Sequence, residues 1–192
     1  MIVPYNNETP IIRETAFVAP TATVAGAVTI GAGARIMFGA QIIAEGGRIV
    51  IGKQCVVLEN AVLRSTAKHD LTVGNNCLVG PCAHLAGCTL EPGVFIATGA
   101  SVFHGAYLET GCEIRINGVV HLKTRLQKNT TVPIGWIAVG DPPVIAPPCD
   151  HDAIWAAQEP LNFPRTVYGI ERSEASVAAI TQYLCRVLPG PK

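Results

Sequence analysis

The stretch ETAFVAPTATVAGAVTIGAGARIMFGA, residues 14–40, carries an aliphatic side chain at every sixth position. A helix repeats every 3.6 residues and a strand every two, so neither element alone keeps a period of six. The spacing predicts very short strands joined by tight corners. The first members of the series are Val18, Val24, Ile30, Ile36 and Ile42.

The same series runs through most of the chain, with small residues two positions before its members. Three such units would close a triangular coil, and coils would stack at the strand spacing of about 4.8 Å. Each coil would then bury its inward side chains against its neighbours, as in other solenoids. The later members are Ile51, Val57, Leu63, Val73, Val79, Leu85, Leu90, Ile96, Val102, Leu108, Ile114, Val120, Leu126 and Val132. The small residues are Ala22, Ala34, Ala40, Cys55, Ala61, Cys77, Ala83, Ala100, Ala106, Cys112 and Gly118.

Two insertions and a tail depart from the repeat. The segments EGGRIV (45–50) and RSTAKHDL (64–71) add residues at corners and are expected to form loops. The prolines after residue 141 end the repeat, because proline cannot continue regular structure. We therefore predict two parts: a solenoid of parallel β-helix type over residues 1–145 and a helical tail over residues 146–192.

The tail contains two helical patterns. HDAIWAAQ (151–158) predicts a short helix, and a second helix begins near Ser173, a candidate N-cap. Apolar residues of the second helix lie on one face and predict that it packs along the flank or the open end of the solenoid. They are Val177, Ile180, Leu184 and Val187.

Bulk composition excludes several classes of partner. The formal net charge of the 192 residues is +0, with 14 basic and 14 acidic residues, so no basic surface for nucleic acid is expected. No apolar run reaches the 18 or so residues of a membrane span, and the first residues lack the pattern of a signal peptide. Seven scattered cysteines favour reduced thiols and a cytoplasmic location.

The segment GPCAHLAGC (80–88) resembles a metal site, because Cys82, His84 and Cys88 are residue types that bind zinc. Cys88, however, occupies the small inward position of the repeat, where a thiol acts as a compact apolar group. His84 precedes the inward Leu85 and should point outward. The three residues are therefore not expected to share a tetrahedral site.

Three segments resemble the γ-class carbonic anhydrase-like branch of the hexapeptide-repeat proteins. They are residues 14–40, LAGCTLEPGVFIATGA (85–100) and VPIGWIAVGDPP (132–143). The resemblance implies a left-handed parallel β-helix that assembles as a homotrimer, with zinc held between subunits by three histidines.

The resemblance also implies where those histidines would lie, and the chain departs from the pattern there. The three zinc-ligand positions fall on Arg64, Pro81 and Ala86, none of which can coordinate zinc. The family's interfacial arginine and aspartate positions fall on Ile43 and Glu45, and its active-site glutamine position falls on Leu58. No metal or other resident cofactor is therefore expected, and zinc-dependent hydration of carbon dioxide is not favoured.

The first functional hypothesis is a trimer that serves as a binding or assembly module without zinc chemistry. AQIIAEGGRIVIG (40–52) resembles the coil of the small dynactin subunits, which implies a protein partner. Under this hypothesis Glu45 and Arg64 form a binding or structural pair between chains and replace the family's interfacial contact.

The second hypothesis is acyl transfer, with acyl-CoA as co-substrate in the groove between subunits and a small acyl acceptor. A histidine would take the acceptor's proton as general base. His104 is the first candidate, because it should project outward beside Gly105, and His84 is the second, on the same face one coil earlier. No corner loop is long enough to cover an acceptor. If the protein is an enzyme, this reaction is favoured over zinc hydration.

The third hypothesis is a carbonic anhydrase-like metalloenzyme with a rearranged site near Glu45, Glu59 and Arg64. Two further histidines, His121 and His69, are candidate ligands for such a site. His121 should lie in the column of Arg64 and Ala86, two coils beyond Ala86, where an exposed ring is the favoured interpretation. His69 lies in the second corner insertion, where a solvated loop histidine is expected.

Overall fold

The computed structural model describes residues 1–188 of the chain. Three largely parallel sheets form the three faces of a solenoid, and consecutive strands of the chain, except the last two, go to different faces. The predicted fold class, a parallel β-helix of six-residue repeats with a C-terminal helical tail, is confirmed.

The first face holds nine strands, and it carries the candidate site described below. All of its neighbouring strands are parallel except the last two, which form an antiparallel pair. Its strands are β1 (Ile2–Val3), β4 (Thr23–Ala25), β7 (Gln41–Glu45), β10 (Val62–Thr66), β13 (His84–Ala86), β16 (Ser101–Val102), β19 (Val119–Val120), β22 (Ile137–Val139) and β23 (Val144–Ala146).

The second and third faces hold seven strands each. The strands of the second face are β2 (Ile11–Ile12), β5 (Val28–Ile30), β8 (Ile49–Ile51), β11 (Leu71–Val73), β14 (Thr89–Leu90), β17 (Tyr107–Leu108) and β20 (Arg125–Leu126). Those of the third face are β3 (Phe17–Val18), β6 (Arg35–Ile36), β9 (Val56–Val57), β12 (Leu78–Val79), β15 (Phe95–Ile96), β18 (Glu113–Ile114) and β21 (Thr131–Val132).

The inward series forms the core, as the repeat predicted. Every member from Val24 to Val132 is at most 1% exposed, and each packs on the same position of the next coil. Val18 is only partly buried, because it lies in the first coil with a neighbour on one side only. Cys55, Cys77 and Cys112 are buried in the small inward positions, which confirms that these thiols fill the core.

The tail begins after β23, so the predicted boundary between residues 145 and 146 falls within that strand. Helix α1 spans His151–Gln158, a 3-10 turn spans Glu159–Leu161, a π-helical turn spans Pro164–Tyr168, and helix α2 spans Val177–Val187. The predicted tail extends to residue 192, and residues 189–192 lie outside the described residues. None of the helices within residues 1–188 is long and apolar enough to cross a membrane.

The predicted start of the second helix was wrong. Ser176, not Ser173, is the N-cap of α2: its Oγ accepts a hydrogen bond from the backbone N–H of Ala179 at 3.1 Å. Ser173 lies in the turn that precedes the helix. A cap must stand two or three residues before the N–H that it satisfies, so only Ser176 meets that condition.

Stacking of the inward side chains is expected to supply most of the stability of the solenoid. Val57 on β9 is fully buried, whereas Val50 on β8, the preceding strand in the sequence, is 41% exposed. Val57→Ala should lower the free energy of unfolding by about 2 kcal/mol, because it leaves a cavity between coils. Val50→Ala, the matched control, should change it by no more than about 0.5 kcal/mol. Urea unfolding measures both values, and equal losses would contradict this account of the core.

Candidate functional site

The two longest strands of the solenoid position a charged pair on the outer surface of the first face. Strands β7 and β10 have five residues each and extend into the two segments predicted as loops, so that prediction was wrong for residues 45, 49–50 and 64–66, which are strand. Arg64 lies opposite Ile43, and Thr66 lies opposite Glu45, so Arg64 and Glu45 are diagonal neighbours across the strands. Nη2 of Arg64 lies 2.5 and 2.6 Å from the two carboxylate oxygens of Glu45.

This geometry differs from the predicted pairing of Glu45 and Arg64 between chains. The two side chains form their ion pair within one chain, because β7 and β10 are adjacent strands of the same sheet. Glu45 has a side chain that is 19% exposed and Arg64 one that is 41% exposed. The guanidinium therefore keeps a large part of its surface available to a ligand.

A shortened repeat brings His69 and His104 together. Leu85 and Leu90 are five residues apart rather than six, and Gly87 between them has φ +50°. A Cβ at residue 87 would lie 2.5 Å from Cβ of His69 and 3.2 Å from Cδ2 of His104. Only glycine leaves this space, and the two imidazole rings meet edge to face with centroids 5.4 Å apart.

The four site residues chosen from the sequence lie in one cleft. His84 on β13 is the register partner of Ser101 on β16, and His104 follows three residues later at the corner of that next coil. Both histidines line a cleft of about 450 Å³ together with Arg64 and Glu45. The structure thus places these residues close enough to act on one small ligand.

The C-terminal tail forms the opposite wall of this cleft. Tyr168, Tyr183 and Leu184 line the cavity with neighbouring residues of the tail, and Tyr5 lines it from the N-terminal segment. The rings of Tyr168 and Tyr183 pack edge to face, with centroids 6.0 Å apart. No corner loop was long enough to cover a substrate, but the tail supplies the cover that the loops lack.

Burial and neighbouring positive charges keep the histidines in and beside the cleft neutral. Burial lowers the pKa of His104 to about 4, with further contributions from His69, His84 and Arg64. Burial and the Arg64 charge lower the pKa of His84 as well. Burial, then Lys123 and Lys68, lower the pKa of His69. Neutral imidazoles can accept a proton, which is the state that a general base requires.

The His104 ring presents one accessible nitrogen. Its Nδ1 is shielded from solvent and has no hydrogen-bond partner among residues 1–188. Nε2 is therefore the nitrogen that a ligand in the cleft can reach. The orphaned Nδ1 also agrees with the low pKa, because no nearby acceptor stabilises the imidazolium form.

His121 lies outside the cleft. It follows Val120, which stacks through Val102 on Leu85, so its predicted place two coils beyond Ala86 is confirmed. The expectation of an exposed ring was wrong, because the ring is half-buried. Phe103 separates it from His84, with ring centroids 6.2 and 6.1 Å from the two imidazoles. Nε2 of His121 lies 3.1 Å from the amide nitrogen of Gln158, beside a separate, mostly apolar cavity of about 350 Å³.

The residues at the implied zinc positions do not fit a zinc ion. Arg64 and Ala86 are register partners on β10 and β13, and Pro81 lies at the preceding corner. A guanidinium, a proline and an alanine offer no lone pair for coordination. Over residues 1–188 no group of three or more His, Cys, Asp or Glu side chains could hold a metal ion.

The cysteines of residues 80–88 lie apart as the repeat predicted. Cys82 is exposed at a corner, whereas Cys88 is buried in the core. Burial raises the pKa of the Cys88 thiol to about 12, so this group stays protonated near neutral pH. A neutral buried thiol fills space and does not serve as a zinc ligand.

Sequence reasoning did not identify several residues that lie in or beside the cleft. His69 was expected to be a solvated loop residue, but it is half-buried against His104. Tyr168 and Tyr183 lie in a tail whose packing surface the repeat does not specify. The five-residue spacing from Leu85 to Leu90 was the one local signal, because a shortened corner gives an adjacent loop space to approach.

Comparisons with known proteins agree with the fold and with the implied resemblance. No family model matches the chain. A segment of 74 residues is 32% identical to gamma carbonic anhydrase 1, mitochondrial, of Arabidopsis thaliana. That segment covers 38% of this chain and 25% of the curated protein, so the match spans about a quarter of the relative's length. The resemblance to γ-class carbonic anhydrases is thus confirmed over part of the solenoid.

The chain is similar to two solved structures. A hexapeptide transferase family protein from Anaplasma phagocytophilum is 25% identical, with a TM-score of 0.55. A putative acetyltransferase from Bacillus cereus is 21% identical, with a TM-score of 0.48. In both cases the match covers 83% of this chain and 91% of the other. The first of these structures supports the assignment of the hexapeptide-repeat fold.

The low pKa of His104 predicts a loss of stability in weak acid. The unfolded chain has the ordinary histidine pKa of about 6.5 and binds a proton at higher pH than the folded chain does. The contribution of a neutral His104 is thus complete above about pH 6.5 and is lost as pH falls toward about 4. Urea unfolding at about pH 7.5 and about pH 5 measures this loss.

His104→Asn should reduce the difference in stability between the two pH values. His151→Asn is the matched control, because His151 is exposed at the start of α1; it should leave the difference as it is in the unmodified protein. Parallel pH profiles for His104→Asn and the unmodified protein would contradict the burial of a neutral imidazole at residue 104.

Proposed function

We propose that this protein transfers an acyl group from acyl-CoA to a small alcohol or amine, with His104 as the general base. The observation that carries the proposal is the position of His104: a neutral, half-buried imidazole in a covered cleft. The solved hexapeptide transferase family protein adds support, because it shares the fold at 25% identity over most of both chains.

The proposed reaction needs only one proton carrier. Nε2 of His104 accepts the proton as the acceptor's O–H or N–H bond breaks. The acceptor oxygen or nitrogen forms a new bond to the thioester carbonyl carbon, and the carbon–sulfur bond then breaks. The CoA thiolate leaves with that electron pair and takes the proton back from the imidazolium, so His104 ends the cycle neutral.

The environment of His104 suits this step in two ways. The tail and the coil wall exclude part of the bulk water, which strengthens electrostatic interactions within the cleft. The Arg64 charge, which contributes to the low pKa of His104, also stabilises negative charge that develops on the carbonyl oxygen. Arg64 is the fixed cation of this wall, and its guanidinium remains partly exposed.

His84 is the second candidate for the base. Its ring is half-buried in the same cleft, and its pKa is lowered by burial and by Arg64. It lies one coil earlier than His104, on a strand rather than at a corner. We expect His84 to orient the acceptor by a hydrogen bond and His104 to take the proton.

A binding or assembly module is the competing function. The same cleft would hold a ligand or a peptide of a protein partner without turnover, and its residues would serve affinity alone. The homotrimer and the cytoplasmic location belong to both proposals and stay predictions. A rearranged metal site has the least support, because among residues 1–188 the paired Glu45 is the one carboxylate that lines the cleft.

The decisive experiment measures CoA release from acetyl-CoA with a panel of small amines and alcohols. Detection should be chromatographic, because Cys82, Cys149 and Cys185 are exposed and would react with thiol reagents. His104→Asn should lower kcat by about 100-fold or more, which is the usual contribution of a general base. His151→Asn, at an exposed position away from the cleft, should leave kcat unchanged.

Calorimetry with acetyl-CoA separates the two proposed functions. Saturable heat together with acyl transfer that depends on His104 would support the enzyme. Saturable heat without transfer to any acceptor would contradict acyl transfer and favour a binding module. Absence of both heat and transfer would overturn the proposal that acyl-CoA is a co-substrate.

A further inference from the structure

The residues that line the cleft carry more positive than negative charge. Arg64 and Lys68 line it, and Lys123 acts on His69 beside it. Of the lining residues within 1–188, Glu45 carries the one carboxylate, and that carboxylate is held by Arg64. The empty cleft therefore has an excess of positive charge, which attracts anionic ligands and raises their local concentration.

The Arg64 guanidinium has donors left for a ligand. Both contacts to Glu45 come from Nη2 alone. Nη1 and Nε make no side-chain hydrogen bond to any part of the chain within residues 1–188. A guanidinium presents its N–H groups in a fixed fork that matches the two oxygens of a carboxylate or phosphate.

Lys68 adds a second cation at the mouth of the cleft. It is exposed in the corner insertion after β10, and its Nζ lies 3.1 Å from the point where a Cβ at Gly169 would stand. The side chain thus reaches across from the solenoid to the tail. An ammonium in this place can contact an anion that Arg64 holds from the coil side.

Part of the remaining wall is apolar. Ala86 lines the cleft from β13, and Val167, Leu184 and Val187 line it from the tail. These side chains cannot hydrogen bond, so they favour a ligand with a hydrocarbon segment. The cleft therefore offers a cationic end and an apolar end within one cavity of about 450 Å³.

We infer that the reactant held in this cleft carries an anionic group, a carboxylate or a phosphate, bound between Arg64 and Lys68, and a short apolar segment under helix α2. That the bound anion is a reactant rests on the proposed function, but its binding in the cleft does not require turnover. The anion belongs either to the acceptor, as a carboxylate, or to CoA, as a phosphate.

An anion at this position would also prepare His104 for catalysis. Burial, with smaller contributions from neighbouring charges, holds its pKa at about 4, which makes the neutral ring a weak base. A negative charge bound beside Arg64 offsets these neighbours and raises the pKa toward the ordinary histidine value. Binding of the reactant would thus strengthen the base only when a substrate is present.

The test compares hexanoate with hexanamide, two probes of the same shape that differ in charge. Binding is followed by the histidine ring signals in NMR, assigned with the variants His84→Asn and His104→Asn. Hexanoate should bind, shift both rings and raise the pKa of His104, whereas hexanamide should bind at least about tenfold more weakly. Equal affinity for the two probes would overturn the inference.

Variants locate the anion. Lys68→Gln should weaken hexanoate binding by about tenfold, because it removes a charged partner. Lys53→Gln is the matched control at another exposed corner and should leave affinity unchanged. A double variant, Arg64→Gln with Glu45→Gln, should abolish the difference between the probes without leaving an unpaired carboxylate. Equal effects of Lys68→Gln and Lys53→Gln would place the anion elsewhere and overturn the inference.

Competition with CoA identifies the source of the anion. Displacement of hexanoate by CoA, but not by uncharged pantetheine, would assign the site to a phosphate of the acyl donor. Simultaneous binding would assign it to a carboxylate of the acceptor. Both outcomes support an anion site. Either can occur when the acyl-transfer assay is negative, so failure of acyl transfer can be distinguished from failure of the anion site.

Discussion

Stacking of inward side chains between coils is the interaction on which the whole molecule depends. Apart from those in the terminal coils, each aliphatic residue of the six-residue series is enclosed by its own coil and by the coils on either side. Because strands of two or three residues have few hydrogen bonds of their own, they persist only where the neighbouring coils hold them in register. The outer surface is thereby fixed as well, since an inward position determines which neighbours point outward.

The candidate site arises where this regular stacking is interrupted. In undisturbed coils the outward residues stack in columns, about 4.8 Å from one coil to the next, and leave no concave surface. Two longer strands carry Glu45 and Arg64, and one shortened repeat at Gly87 lets the loop of His69 approach His104. The tail then covers this irregular region. The cleft is therefore a product of local departures from the repeat, and the repeat supplies the rigid frame around them.

The implied zinc position and the cleft share Arg64, which explains how one surface could support different chemistry. In a relative that binds zinc, this column would carry a metal ligand; here it carries a fixed cation paired with Glu45. A guanidinium and two neutral imidazoles can bind an anion and move a proton, but they cannot polarise water as zinc does. The side chains of the cleft thus favour acid–base chemistry over zinc-dependent hydration of carbon dioxide.

The sequence predicted the solenoid well because its signal is local and repeated. The inward series and the small inward cysteines follow from the period alone, and so does the outward direction of His84. The arrangement of the tail does not follow from it. Val177 has helical spacing with Leu184, yet it is 80% exposed, while Leu184 lines the cleft. The surface that a helix covers depends on contacts between residues distant in sequence, and such contacts do not produce a repeating sequence pattern.

The metal content of untagged protein, purified without chelators and measured by plasma mass spectrometry, tests the central claim most directly. If protein imidazoles and Arg64 provide the chemistry, the protein should contain less than about a tenth of an equivalent of zinc, cobalt or iron per chain. A near-stoichiometric amount of one of these metals would contradict the account. It would mean that His84, His104 or His121 takes part in a metal centre and that the cleft works by metal chemistry.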